Sequence, residues 1–440
     1  MTTTKSFFSL FNNSLIRIKG ISIIFALITF IIFPLQGYFE MLKYANNTNF
    51  SNYNYQLPTI TLIFLPVMLS LFAILLPLFS LSFMHKKEAS ILFHSLPVSR
   101  AKILLANFLS TVSVYVSVVL LSNLAYMLIN IYAYGEEKLI QQQSMLISTL
   151  CSGFLIIAIT FLCSALASTS FDAFFFTGFI CFVSILVYAL HEYLMTDYVS
   201  GYVIEYNVFF VCSSPIINIY NTILGVEAVG IYNSGMIENS GFIASLVYIP
   251  VAIFVFALSC FVYKKRKTEF AQNSSIGSIL YKIVIIISVL CFTIIAVMIS
   301  GQLNEYFFIS CIFYSVAIGL CLCAIMRRNF KPSKNVYIII AISTLISLAY
   351  LSAMVYTSWF GSDKYVPNTS EVASVTISGK YFSQDIYYGN EYGDLTFKDD
   401  ENIEKAKEIH KLALDKYSDY VSADSYTGNS SLYTKISYTL

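Results

Sequence analysis

The sequence predicts an α-helical polytopic membrane protein that ends in a small water-soluble α+β domain. Three observations carry this. Of 440 residues, 57% are hydrophobic and 12% charged, with a mean hydropathy of +0.71, which leaves too few charges to clothe a soluble protein of this size. Nine apolar runs reach the roughly 20 residues that a helix needs to cross a bilayer; they lie near 21–42, 58–84, 103–133, 144–167, 173–195, 243–263, 279–300, 305–326 and 336–358. After Trp359 the composition turns polar, with 13 acidic residues against 8 Lys.

Ahead of the first run, KSFFSLFNNSLIRIKG sets Phe7, Phe8, Phe11, Leu15 and Ile18 at helical spacing, with Lys5, Asn12, Asn13 and Lys19 off that face. Residues 1–20 are therefore expected as an amphipathic helix lying in the membrane interface. No A-x-A-like cleavage site follows the first run, so that span is expected to be retained.

The positive charges give an orientation. With the N-terminus cytoplasmic, the inner segments hold 16 of the 26 Lys and Arg, and the outer loops between spans hold only Lys43 and Lys138. The other eight lie in the long tail, whose translocation is insensitive to charge. Nine crossings then place the C-terminus outside.

The loop 196–242 contains no Lys or Arg, yet YVIEYNVFFV and PIINIYNTIL are apolar enough to stay at the membrane surface. Ser213 and Ser214 before Pro215 mark a helix start. The loop is expected to hold a short, partly re-entrant helix on the external face, an ordinary surface loop being the alternative.

The tail 359–440 is expected as the extracytoplasmic α+β domain. EVASVTISG alternates Val372, Val375 and Ile377 as a strand, and LTF fits a second. DDENIEKAKEIHKLALDKY opens with Asp caps and puts Ile403, Ala406, Ile409, Leu412 and Ala413 on one helical face. SLYTKISYTL alternates as a strand up to the last residue, which suggests a truncated sequence or an edge that finds a partner.

Chemistry is sparse. Eight of the nine Cys lie inside apolar runs and only Cys212 in a loop, so neither a disulfide framework nor a metal site is expected. Neither G-x-x-x-x-G-K-[ST], G-x-S-x-G nor H-E-x-x-H occurs. His191 and Glu192 could form an acid/base pair, but a span end is an ordinary place for polar anchors, and no catalytic residue or cofactor is assigned. Glu40, Asp172, Lys282 and Glu305 all fall at span ends. Ion-coupled carriers usually keep a charge at mid-membrane, so energy for any transport is expected from outside the spans.

Between the second and third spans, MHKKEASILFHSLPVSRAK offers a short amphipathic helix with Ile91 and Leu92, a turn broken at Pro97, and Ser99 capping the next span. Such an element can seat in a groove on a cytosolic partner, or it can be a plain basic loop that fixes orientation.

The stretch resembles the cytosolic segment between the second and third spans of bacterial ABC-2 type exporter permeases, where a SLPVSR-like sequence recurs. The amphipathic N-terminal helix, the six-span block with an external re-entrant element before the sixth span, and YKKRKTEFAQ just after it resemble that family too. Gln272 stands where the Gram-positive members that this chain most resembles more often have Gly. The three further spans and the external tail also fit those members.

The resemblance implies a permease core over 21–272, three additional spans over 273–358, and a separate ATP-binding cassette ATPase that supplies the energy. By position, 85–102 would be the coupling segment, with Lys86, Lys87, Glu88, His94, Ser95, Leu96, Pro97, Val98, Ser99 and Arg100 docking on that ATPase. Phe7, Phe8, Phe11, Leu15 and Ile18 would belong to the interface helix that moves with it. A second permease subunit, identical or not, would complete the path, lined by spans such as the second and fifth. Membrane lipid surrounds it, and no nucleic acid is involved. The rival readings are a sensor that binds a ligand through its external domain and a membrane-embedded transferase.

Overall fold

The computed structural model describes residues 3–45, 59–134, 139–199, 213–228, 235–267, 279–300, 307–327, 334–361, 366, 372–380, 392–421 and 434–439. Among them, nine helices are long and apolar enough to cross a membrane, the helix set of an α-helical multi-pass membrane protein. The chain divides into two compact units, Met1–Glu192 with Glu205–Ala349, and Tyr193–Ile204 with Tyr350–Leu440.

In the first unit, α1 (Thr3–Phe30) runs without a break through the stretch expected as a separate interface helix. The reason is local. Proline is absent before Pro34, and the single Gly20, with open space around it, lowers helix propensity without ending a helix. At Pro34, which has no N–H to donate, the ladder widens into a π-helical turn over Ile31–Leu35 before α2 (Gln36–Ala45). Phe33 in that turn stacks on Tyr126 with centroids 4.1 Å apart, and a Cβ at Gly37 would come within 2.6 Å of the same ring. That approach requires glycine.

Next come α3 (Thr59–Ser80), a 3-10 turn (Ser82–His85), α4 (Lys87–His94), α5 (Arg100–Tyr134), α6 (Leu139–Leu166) and α7 (Ser170–Tyr198). Thr169 caps α7, its hydroxyl accepting the Asp172 N–H, while the buried Asp172 carboxylate accepts the Ser168 hydroxyl. The short α8 (Pro215–Ala228) precedes α9 (Gly235–Lys265), α10 (Ile279–Ser300), α11 (Phe307–Arg327) and α12 (Lys334–Gly361). Pro215 opens α8 where the sequence places it, with the Ser214 hydroxyl accepting the Ile217 N–H at 3.4 Å. The segment YVIEYNVFFV lies outside the described residues.

Aromatic packing joins the spans. Phe25 of α1 stacks on Phe72 of α3 at 4.6 Å and on Tyr115 of α5 at 5.7 Å, and Phe108 of α5 stacks on Phe256 of α9 at 4.0 Å. Lipid is as apolar as these rings, so their contribution is close van der Waals contact rather than removal from water.

In the second unit, α12 ends in a left-handed turn: Ser358, Trp359 and Phe360 have φ of 42°, 52° and 62°. Such angles cost a residue with a Cβ roughly 1–2 kcal/mol each. The Phe360 N–H bond to the Thr357 hydroxyl at 2.9 Å and the Trp359 ring against Tyr350 hold the turn. An antiparallel sheet follows in the order β2-β1-β3, from β1 (Ser374–Lys380), β2 (Tyr392–Phe397) and β3 (Thr434–Thr439), with Ile377 paired to Leu395 and to Ile436.

Asp399 caps α13 (Asp400–Val421), accepting from the Asn402 N–H at 3.3 Å, and Val372, Val375, Ile403 and Ala406 form the small core. Ile409 and Leu412, expected on the buried face, are exposed. At 1.5 Å per residue α13 is about 33 Å long, whereas strands of six or seven residues span only about 20–24 Å, so the helix outruns its sheet.

Candidate functional site

The segment from Ser82 to Arg100 is held by arginines, each of which closes the open end of a neighbouring span. A helix leaves its last carbonyls without intrahelical partners, and a cation there also meets the negative end of the helix dipole. Arg17 donates to the carbonyl of Ser80, the last residue of α3, at 3.0 Å, and to Asn107 Oδ1 at 2.8 Å. Arg266 donates to the carbonyls of Ser164 and Ala165, at the end of α6, at 2.5 and 3.0 Å. Arg100 donates to the carbonyls of Lys264 and Arg266, at the end of α9, at 3.3 and 2.6 Å. The second, fourth and sixth spans thus end at one face of the bundle, each under an arginine.

The same arginines grip the segment. Arg266 also donates to the Met84 carbonyl at 3.1 Å, and the Arg17 guanidinium lies over the rings of Phe83 and Phe93, 5.2 and 5.1 Å from their centroids. His94 Nε2 meets the Tyr263 hydroxyl at 3.0 Å. Beside this, Ser14, Ser80, Ser110 and Asn107 share buried hydrogen bonds that tie α1, α3 and α5 together. Burial pushes the Arg266 pKa down to about 10, which leaves it charged at neutral pH. His85 is buried next to it, and burial first, then the Arg266 charge, push its imidazole down to about 3, so it is neutral here.

This anchoring gives the segment two faces. Ala89, Phe93 and Val98 pack against the bundle core, and Ser90 is buried. The other face exposes Ile91 at 53%, Leu92 at 66% and Leu96 at 38%, with Pro97 beside them and Lys86, Lys87, Glu88, Ser95, Ser99 and Lys102 around them. Ser95 closes α4 by its hydroxyl donating to the Leu92 carbonyl, and the Ser99 carbonyl accepts the N–H groups of Lys102 and Ile103 in the first turn of α5.

No family model, no curated protein and no solved structure matches the chain.

The sequence-derived docking residues are therefore brought together but divided. Lys86, Lys87, Glu88, Ser95, Leu96, Pro97 and Ser99 face outward, whereas His94 and Arg100 bond their own chain and Val98 packs inward. In α1, Phe8 is exposed, Phe7, Phe11 and Leu15 are half-buried and Ile18 is buried. His191 and Glu192 are both half-buried near the end of α7. Among the described residues no three His, Cys, Asp or Glu converge as a metal set, and none of the eight described cysteines is in a disulfide; Cys212 lies outside them.

Reading the sequence alone missed Arg17, Asn107 and Arg266 as a group. It also missed a second polar cluster, of Ser148 and Ser152 on α6, Asn218 and Thr222 on α8, and Ser245 on α9. A signal for that cluster was present: Ser144, Ser148 and Ser152, and likewise Ser214, Asn218 and Thr222, recur every four residues and so line one helical face each.

Proposed function

We propose that the chain is the membrane-spanning subunit of an ATP-driven exporter of the ABC-2 kind, moving a hydrophobic or amphipathic substrate out across the cell membrane. The N-terminus is cytoplasmic and the C-terminal α+β unit extracytoplasmic, as the positive charges argue. ATP is hydrolysed by a separate cassette ATPase, and a second permease subunit completes the transporter.

The observation that carries this reading is the two-faced segment at Ser82–Arg100. A loop that only fixed orientation would need its positive charges and nothing else. Here an apolar patch of Ile91, Leu92 and Leu96 is exposed, ringed by polar and basic residues, on an element fastened to the ends of three spans. Exposed apolar patches with polar rims mark partner sites. Pressure on α4 reaches α9 through the His94 contact with Tyr263 and α1 through Phe93 under Arg17, while Arg266 ties the preceding turn to the end of α6.

The test is recovery of an ATPase carrying a phosphate loop, co-purified with the wild-type chain and with Leu92→Asp/Leu96→Asp at matched membrane levels. The reading expects the ATPase with the first and its loss with the second. Equal recovery, or ATP hydrolysis by the chain purified alone, contradicts it.

A further inference from the structure

The polar cluster between α6 and α8 sits where an apolar bundle has least reason to keep one. Ser152 is the fourteenth of the 28 residues of α6, so with α6 crossing the bilayer it lies near the midplane. Asn218 reaches Ser148 and Ser152, and Thr222 reaches Ser148, so α8 runs antiparallel to α6 with its N-terminal end at the deeper level. The buried Ser214 hydroxyl fixes that end to the Cys181 carbonyl of α7 at 2.6 Å. The short helix is thus a half-span, of the sort that places polar groups at mid-membrane.

Its hydrogen bonds do not close. Asn218 is fully buried, and its amide nitrogen has two N–H for three serine oxygens, at 3.1, 3.1 and 2.9 Å, while its Oδ1 has no partner among the described residues. Turning the amide over moves the deficit to the nitrogen. At the same level of α6, Gly153 lets the Tyr115 ring pack against the helix, and the buried Tyr115 hydroxyl has no partner among the described residues either.

We propose that the seam between α6 and α8 is the outer part of the substrate path, and that Asn218 is its polar contact for an uncharged hydrogen-bonding group, a hydroxyl or amide, on the exported amphiphile. The inference rests on the exporter reading. Parting two apolar faces exposes them to water at a cost proportional to area, whereas parting two polar stripes exchanges their hydrogen bonds for bonds to water, and the unpartnered Oδ1 gains one outright. Water therefore enters this seam more readily than the aromatic contacts among α1, α3 and α5. The cluster of Ser148, Ser152, Asn218, Thr222 and Ser245 carries no ionisable group, so a charged head would find no counter-charge there.

The test uses intact cells and a membrane-impermeant methanethiosulfonate cation. Labelling of Ser152→Cys is read above that of the parent chain, with Ser343→Cys, buried in α12, as control. The expected result is labelling of Ser152→Cys in energised cells, loss of it after ATP depletion, and none of the control. Adding Asn218→Leu should lower the labelling, because an apolar seam resists water; a rise would show a structural latch and overturn the role given to Asn218. Labelling that is equal with and without ATP keeps the seam as a path and removes the ATP-driven reading. Absence of labelling in both states overturns the seam.

Discussion

Arg266 donates to the Met84 carbonyl at 3.1 Å across 182 positions of sequence, and so binds the residue after the sixth span to the turn that ends the second. With its bonds to Ser164 and Ala165, one guanidinium holds two separate stretches of backbone. A planar guanidinium reaches them from two separate nitrogens, whereas an ammonium has its three donors on one.

Arg266→Lys should therefore destabilise the bundle although charge is kept. Loss of even one charged hydrogen bond costs about 1.5–3 kcal/mol. A lower Tm in detergent is expected, with a larger drop for Arg266→Met; an unchanged Tm for both would show the contacts to be idle.

Acid should loosen the same region through His85. Its imidazole titrates near 3 when folded and near 6.5 when unfolded, because burial, and after it Arg266, oppose the charged form. The folded value is the lower one, so the unfolded chain binds the extra proton. The stabilising contribution is fully present above pH 6.5 and is lost as pH falls toward 3, by up to about 1.4 kcal/mol per pH unit. Stability measured between pH 7 and 5 should fall less steeply in His85→Asn than in the wild type. Parallel curves would contradict the assignment.

The orientation has its own check. A cysteine introduced at Ser425 should react with an impermeant reagent added outside cells, and one at Ser99 should not. The reverse pattern would turn the proposed exporter over and remove α4 from the side where ATP is.

The sequence made the spans legible because length and apolarity alone specify them, and it made the starts of α8 and α13 legible because Ser214 and Asp399 cap within three residues of themselves. The anchoring of the Ser82–Arg100 segment was not legible. Arg17, Arg100 and Arg266 bond backbone carbonyls 63 to 182 positions away, and a carbonyl carries no side-chain signature. Hence Arg100, read as a contact for the ATPase, bonds the end of its own sixth span. Ile409 and Leu412 misled for a related reason: periodicity marks a helical face but not how much of it a sheet covers.

The most direct measurement of the central claim is photo-crosslinking in living cells from single positions on α4. A photoreactive amino acid at Leu92, on the exposed face, should give an adduct with an ATP-binding cassette protein; one at Ser90, which faces the bundle, should give none. Adducts from Leu92 that contain only lipid, only this chain or only proteins without a phosphate loop would contradict the account.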